Sequence, residues 1–369
     1  LPERITVALQ GRDFTGAQVA IQPVPSATAY HITFTDTDSG KVAVDQTVHS
    51  TVTQATYANI DQLAPNTLYD VAVAAINPAG EGMARHASYL SLPAAPFGFQ
   101  AVAAYEHSID LKWSTVTGAV YGDLQRNGQS VTDNTYLPGD MEQYRDTGLA
   151  SGTLFNYELS LANMTGFGYF TYLPGIWTLP GKVESLRSGV TTDTSKTIQW
   201  QNVQGATGYR LYLDGHYADT VTGTTYTYSD LEPGQVYRFT VEAMNTSGTG
   251  TATTLTESTL PAKPSTVQVT HQTEYGFHVQ MAPIYGADRY RLELNGKVYD
   301  RTDGTFVIEG LHAGGTYTFN VHGGNDSGYS QSLPITTMTI PAAINEAKVH
   351  INEPGRIVIG WELQQGATY

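Results

Sequence analysis

Among its 369 residues the chain has no cysteine, which removes at once a disulfide framework, a thiolate zinc site and a thiol nucleophile. For a multidomain β protein that absence fits bacterial export better than animal secretion, so a bacterial origin is expected. Positive charge is scarce as well: 19 Lys and Arg stand against 34 Asp and Glu, a formal net charge of -15. No basic patch interrupts that balance, so neither nucleic acid nor anionic lipid is expected as a partner. No stretch approaches the roughly 18 to 20 continuous apolar residues of a membrane span. The opening Leu1-Pro2-Glu3 lacks the basic-then-apolar order of a signal peptide, which leaves room for a leader removed upstream. Charged residues of both signs make up only 14%, and hardly any segment carries a helical period. What is plentiful is Gly (37) and Tyr (24), together with Thr, a balance that favours many short strands and turns. The chain therefore reads as all-β, with a length that suits two to four domains.

Self-similarity organises it. A segment running Leu63-Ala-Pro65 to Tyr69, Val71 and Val73, then Asn77, recurs from Leu149 through Phe155, Tyr157 and Leu159 to Asn163. It returns from Leu231 through Tyr237, Phe239 and Val241 to Asn245, and from Leu311 through Tyr317, Phe319 and Val321 to Asn325. Each copy is a turn entering a strand, with apolar and polar residues alternating between two faces. The aromatic early in the strand suits a tyrosine corner, whose ring is buried while its hydroxyl satisfies a backbone group upstream. Tyr69, Tyr237 and Tyr317 fit. Phe155 lacks the hydroxyl, so the second copy either goes without that hydrogen bond or recruits Tyr157 or water.

Two further landmarks accompany each copy. Upstream, Ile109, Leu111 and Trp113 lead to Gly118-Ala119 and Tyr121; Ile198 and Trp200 lead to Gly205-Ala206 and Tyr209; Phe277, Val279 and Met281 lead to Gly286-Ala287 and Tyr290. In the first copy Val19 and Ile21 lead to Ala27 and Tyr30, with Pro23 near the place of the Trp, and a smaller core is expected there. Trp113 and Trp200 should anchor their cores, since truncating a buried Trp costs about 3 to 5 kcal/mol. Downstream, Asn127-Gly128, Asp214-Gly215 and Asn295-Gly296 mark two-residue hairpins, and Asp36 to Gly40 a longer one. Leu92-Pro93, Leu179-Pro180, Leu260-Pro261 and Ile340-Pro341 supply short, Pro-stiffened junctions.

Taken together, the early-strand Trp, the Gly-Ala strand with its Tyr, the Leu-x-Pro-x-x-x-Tyr turn and the Asn-x-x-Gly loop resemble the fibronectin type III repeats of bacterial secreted and surface proteins. The resemblance covers nearly the whole chain. It implies four tandem immunoglobulin-like sandwiches, each of seven strands in two antiparallel sheets, over residues 1–92, 93–179, 180–260 and 261–340, with an incomplete fifth repeat over 341–369. It implies no single function, because such sandwiches serve as spacers, adhesion modules and enzyme accessory domains alike.

In the fifth repeat, Lys348 to Ile351 and Ile357 to Trp361 read as two strands, followed by Gly366-Ala367-Thr368-Tyr369. Two strands cannot enclose a core. The simplest expectation is a segment of a longer array cut at both ends; the sharper alternative is strand donation to a neighbouring chain, giving self-association or a filament.

Candidate chemistry is thin. The ten His are dispersed with no His-Glu-x-x-His pair; His278 and His322 could approach each other in the fourth repeat but lack a third ligand for zinc. Asp36, Asp38 and Gly40 suit a hairpin turn better than a calcium loop, which needs later ligands and a bidentate Glu. No nucleophile elbow or phosphate-binding glycine loop appears, so no catalytic residue, cofactor or metal site is assigned. Asn163-Met-Thr165, Asn245-Thr-Ser247 and Asn325-Asp-Ser327 satisfy the N-glycosylation pattern, but all sit in one loop shared by the repeats, which favours turn chemistry. Gly11-Arg12-Asp13 is not an integrin motif.

One stretch departs from its repeat-mates. Where the third copy has small polar residues, the second carries Phe167, Tyr169, Phe170 and Tyr172, with Trp177 beyond. Exposed rings stack on sugars and anchor interfaces, so these four are the expected ligand or partner contacts, Phe167 and Tyr169 foremost as sharing a face; the competing reading is a sheet strand that buries about half of them. The overall expectation is a non-catalytic extracellular or cell-surface array that sets distance and presents surfaces to protein or glycan partners. The alternatives are a carbohydrate-binding accessory region of a secreted polysaccharide-degrading enzyme and a virion or tail decoration module.

Overall fold

The computed structural model describes residues 5–362 and 364, apart from 14, 51–52, 133–134, 345 and 354–355. The described residues form strands, turns and loops without a helix, as the scarcity of helical periods predicts. Two compact units result: residues 1–181 with 204–206 and 244–250, and the remainder.

A pair of sheets recurs four times. In the first copy Val7–Asp13, Gly16–Ile21 and Thr56–Ile60 make a three-stranded sheet, and Val42–His49, Ala29–Asp36, Leu68–Asn77, Gly80–Glu81 and Arg85–Leu90 a five-stranded one. The second copy sets Phe97–Ala104, Ser108–Ser114 and Gln143–Thr147 against a sheet centred on Tyr121–Arg126 and Leu154–Ala162. The third and fourth copies repeat the three-and-five pattern around Val236–Asn245 and Thr316–Asn325. Every pairing is antiparallel between strands of one copy, and the inward residues of the two sheets meet in a single core per copy in the first, second and fourth. These are β-sandwiches.

The turns obey their sequence. Asn127-Gly128, Asp214-Gly215 and Asn295-Gly296 all have positive φ at both residues, the geometry of a type I′ hairpin. The tyrosine corners close as expected: the hydroxyls of Tyr69, Tyr237 and Tyr317 accept from the backbone N–H of Ala64, Glu232 and His312 at 2.7 to 2.8 Å. Trp113 and Trp200 are buried, each edge-on to a neighbouring ring, Phe99 and Tyr209 respectively.

Two local expectations are corrected, and one register shift sets the second repeat apart. Ile21, not Pro23, takes the place of the Trp in the first copy; it is fully buried, and with Val19, Tyr30, Phe34 and Tyr69 it fills a core that is not reduced. Tyr30, Tyr209 and Tyr290 point inward, but Tyr121 does not: Trp113 and Tyr121 are one residue closer than Trp200 and Tyr209, so the strand's parity shifts, Gly122 faces the core and Tyr121 faces out. His278 does not meet His322; it lies against His271 at 4.7 Å between ring centroids, while His322 pairs with the Ser330 carbonyl.

Candidate functional site

Two features of the second repeat set it apart, one inside and one outside. Inside, Arg126, Asp146 and Tyr157 come from three neighbouring strands of facing sheets. Arg126 Nη1 donates to both carboxylate oxygens of Asp146 at 2.8 and 2.9 Å, and the Tyr157 hydroxyl donates to the same carboxylate at 2.8 Å. Asp146 and Tyr157 are buried. Burial, and then the Asp146 carboxylate, hold the phenol far above its ordinary range, so it acts as a neutral donor. Equivalent positions in the fourth repeat are Leu294, Ile308 and Phe319, all buried, so the second repeat has replaced an apolar cluster by a paired charge. Phe155 loses no partner to this: Arg126 lies over its ring at 5.8 Å. Of the alternatives for the second corner, recruitment of Tyr157 is not taken, because its hydroxyl is committed to Asp146.

Outside, the shift that turns Tyr121 outward places it beside Tyr136, which precedes the short Leu137–Pro138 strand paired with Tyr121 and Gly122. Phe167, held by an isolated bridge to Ala162, completes a triangle: ring centroids are 4.9 Å apart for Tyr121 and Tyr136, 5.4 Å for Tyr121 and Phe167, and 5.3 Å for Tyr136 and Phe167. Tyr136 is 52% exposed and the other two are half-buried. Of the four residues singled out in the sequence, only Phe167 enters this triangle. Tyr169, Phe170 and Tyr172 are exposed. The stretch from Thr165 to Phe170 is not a continuous strand, so Phe167 and Tyr169 need not share a face. Tyr121 and Tyr136 were missed; the one-residue shortening before Tyr121 was the signal that could have found the first. Such a ring cluster offers edges and faces to a sugar or an apolar side chain. Among the described residues no group of three or more His, Asp or Glu side chains is placed to hold a metal ion.

The Asn-x-Ser/Thr loops have a different use. Asn163 Nδ2 donates to the Ser91 carbonyl at 2.7 Å and to Asn66 Oδ1 at 2.9 Å, while its Oδ1 accepts from the Thr165 N–H. In the same first unit, Asn245 Nδ2 donates to the Thr178 carbonyl at 2.8 Å. In the second unit, Asn325 Nδ2 donates to the Thr259 carbonyl at 2.8 Å and its Oδ1 accepts from Ser327 N–H at 3.0 Å. All three asparagines are buried. The acceptor residue is the Ser or Thr just before the Leu-Pro junction, and its own hydroxyl is spent on the turn that enters the tyrosine-corner strand. The nitrogen that a glycan would need is thus the one that clamps a repeat to its predecessor.

A family model described as Fibronectin type III domain matches residues 181–259. The chain is built of tandem fibronectin type III repeats. It is 24% identical over 299 residues to Fibronectin type III domain-containing protein 7 of Mus musculus, a match over 75% of this chain and 39% of that protein. It is 32% identical over 187 residues to Chitinase A1 of Niallia circulans, 43% of this chain and 26% of that protein. The fibronectin type III array here therefore spans well under half the length of either. A solved two-domain fibronectin type III segment of chicken tenascin matches 44% of the chain at 19% identity with a TM-score of 0.31.

Proposed function

We propose that the chain is a non-catalytic extracellular array whose fibronectin type III repeats, divided after residues 92, 179, 260 and 340, hold a spacing and present a surface of the second repeat to a partner. The observation that carries this reading is the asparagine clamp: within each unit a buried side-chain amide, Asn163 in one and Asn325 in the other, donates to a carbonyl of the preceding repeat. A buried, satisfied polar joint fixes geometry more than it adds stability. A bacterial cell-surface or secreted setting is supported by the missing cysteine and by the kinship with Chitinase A1 of Niallia circulans.

The second reading, a glycan-binding accessory region, is favoured by the exposed rings of the second repeat and by two relatives named as chitinases. Its test is a pull-down on insoluble chitin and other polysaccharides with the Tyr136→Ala/Phe167→Ala chain beside the parent, and with Tyr169→Ala/Tyr172→Ala as the second pair. Loss of binding in the first pair supports the ring triangle; no parent binding to any glycan, with protein partners captured instead, leaves the plain array. Self-association would run through the hairpin of Ala347–Glu353 and Arg356–Trp361, whose Val349, Ile357, Ile359 and Trp361 are exposed. Unchanged sedimentation after removal of residues 342–369 would dismiss it. The Gly366 to Tyr369 landmark and the opening Leu1-Pro2-Glu3 lie outside the described residues.

A further inference from the structure

The outward face of the second repeat's five-stranded sheet carries more than the ring triangle. Gly122 and Leu124 are buried in the core, so strand alternation puts Tyr121, Asp123 and Gln125 on the outer side. On the neighbouring strand Tyr157, Leu159 and Leu161 are the inward residues, which turns Glu158 and Ala162 to the outer side. Tyr121 stands opposite Ala162 and Gln125 opposite Glu158; Glu158 in turn stands opposite Tyr172 on the third strand. Ala162, between Tyr121 and Phe167 in the pairing, is small enough for the two rings to meet across it at 5.4 Å. The face therefore runs from the triangle to a polar row, Gln125 and Glu158, that ends on the exposed ring of Tyr172. Four residues separate Tyr121 from Gln125, roughly 13 Å along the strand. Midway, Asp123 accepts from Gln125 Nε2 at 2.6 Å, which holds the amide in place.

Charge decides what such a face can hold. The sequence has no Lys, Arg or His from Trp113 to Gln125, from Asn127 to Tyr144 or from Asp146 to Gly181. Arg126, the one cation on the described strands of this sheet, is turned inward onto Asp146. An acidic ligand would meet Asp123 and Glu158 without a counter-charge and be repelled. A neutral sugar meets the opposite case. It finds rings to stack on and, beside them, an amide and two carboxylates to bond its hydroxyls, the carboxylates being the stronger acceptors. We infer, building on the glycan-binding reading, that this face takes a glycan chain free of acid groups. The triangle of Tyr121, Tyr136 and Phe167 is its stacking platform, and Asp123, Gln125 and Glu158 select hydroxyls over carboxylates or sulfates.

The test is affinity electrophoresis of the whole chain through gels holding matched polymers: glycol chitin against carboxymethyl chitin, and hydroxyethyl cellulose against carboxymethyl cellulose. At least one neutral polymer should retard the parent, with a dissociation constant about tenfold or more below that of its carboxymethyl counterpart. Because a net charge of -15 would itself repel an anionic polymer, the variants carry the decision. Asp123→Asn/Glu158→Gln should weaken binding to the neutral polymer about threefold or more and close most of the gap to the anionic one. Removing two charges from the fourth repeat instead, by Glu309→Gln/Asp326→Asn, should leave both affinities at the parental values. Tyr136→Ala/Phe167→Ala should abolish retardation by every polymer. Equal retardation by neutral and carboxymethyl polymers overturns the inference, as does an Asp123→Asn/Glu158→Gln chain that binds like the parent; with the ring pair still required, the glycan-binding reading survives both results. No retardation by any of the four polymers, in a chain whose Leu154–Ala162 strand is protected from hydrogen exchange, overturns that reading and the inference with it.

Discussion

Replacing Asp146 by Ala should be the most damaging single polar substitution in the second repeat. It strips Arg126 of two charge-assisted hydrogen bonds and leaves the fully buried Tyr157 hydroxyl without its acceptor. Breaking a buried ion pair from one side costs about 3 to 5 kcal/mol, and an orphaned buried hydroxyl about 1 to 3 kcal/mol. Arg126 is 34% exposed, so water recovers part of the loss, and a destabilisation of about 3 kcal/mol is expected. The fourth repeat indicates the compensating change. Arg126→Leu, Asp146→Ile and Tyr157→Phe together install its Leu294, Ile308 and Phe319, and should return stability to within about 1 kcal/mol of the parent, since well-packed apolar replacements for buried charges are often neutral. Because a multi-repeat chain does not unfold in one step, the assay is hydrogen exchange of Leu154–Ala162. Protection there should fall about a hundredfold in Asp146→Ala, at about 1.4 kcal/mol per tenfold, and recover in the triple variant. Near-parental protection in Asp146→Ala, or a triple variant as labile as the single one, would refute the reasoning.

Two further outcomes follow from named contacts. His31 sits between Asp45 and Glu81, with 2.8 Å from a ring nitrogen to each carboxylate, and the hydrogen bond to Glu81, then that to Asp45, raises its pKa above the ordinary value. A raised folded pKa means that this stabilisation is fully present below about pH 6.5, the unfolded value, and is lost as pH rises through the folded one; an NMR titration midpoint at or below the ordinary value, or a first-repeat stability unchanged from pH 6 to 9, would contradict it. Gly286→Ala forces a Cβ to within 2.2 Å of the Gly234 Cα, whereas Gly296→Ala at a similar positive φ meets nothing. Both pay about 1 kcal/mol for the backbone conformation, so thermal unfolding should show a larger loss at Gly286, and equal losses would mean that the joint yields freely.

Much of this architecture is legible in the residues because the repeats check one another. Alternation of Val71 with Val73, or Phe319 with Val321, fixes a strand's inward face, and the Asn-Gly and Asp-Gly pairs fix the hairpins, so sheets, turns and corners follow from local rules. What escaped depended on register or on distant partners. A one-residue difference in a loop turned Tyr121 outward, and Pro23 drew attention from Ile21, which holds the core position two residues earlier. The ring triangle was half visible: Phe167 stood out as an aromatic among polar repeat-mates, while Tyr136 comes from a loop with no counterpart to compare. The asparagines were recognised as turn formers through their Oδ1 atoms, but the carbonyls that their Nδ2 atoms reach, 66 to 72 residues away, leave no mark in the local pattern.

The asparagine clamp is the claim on which the array reading rests, and its most direct test is the exchange rate of the Asn163 and Asn325 carboxamide protons, read by NMR on the intact, side-chain-labelled chain. Buried donation to Ser91 and Thr259 predicts exchange slowed about a hundredfold or more relative to solvent-exposed asparagines, since it must await local opening. Exchange at the exposed rate would mean that the junctions are not clamped and that the repeats are merely strung together.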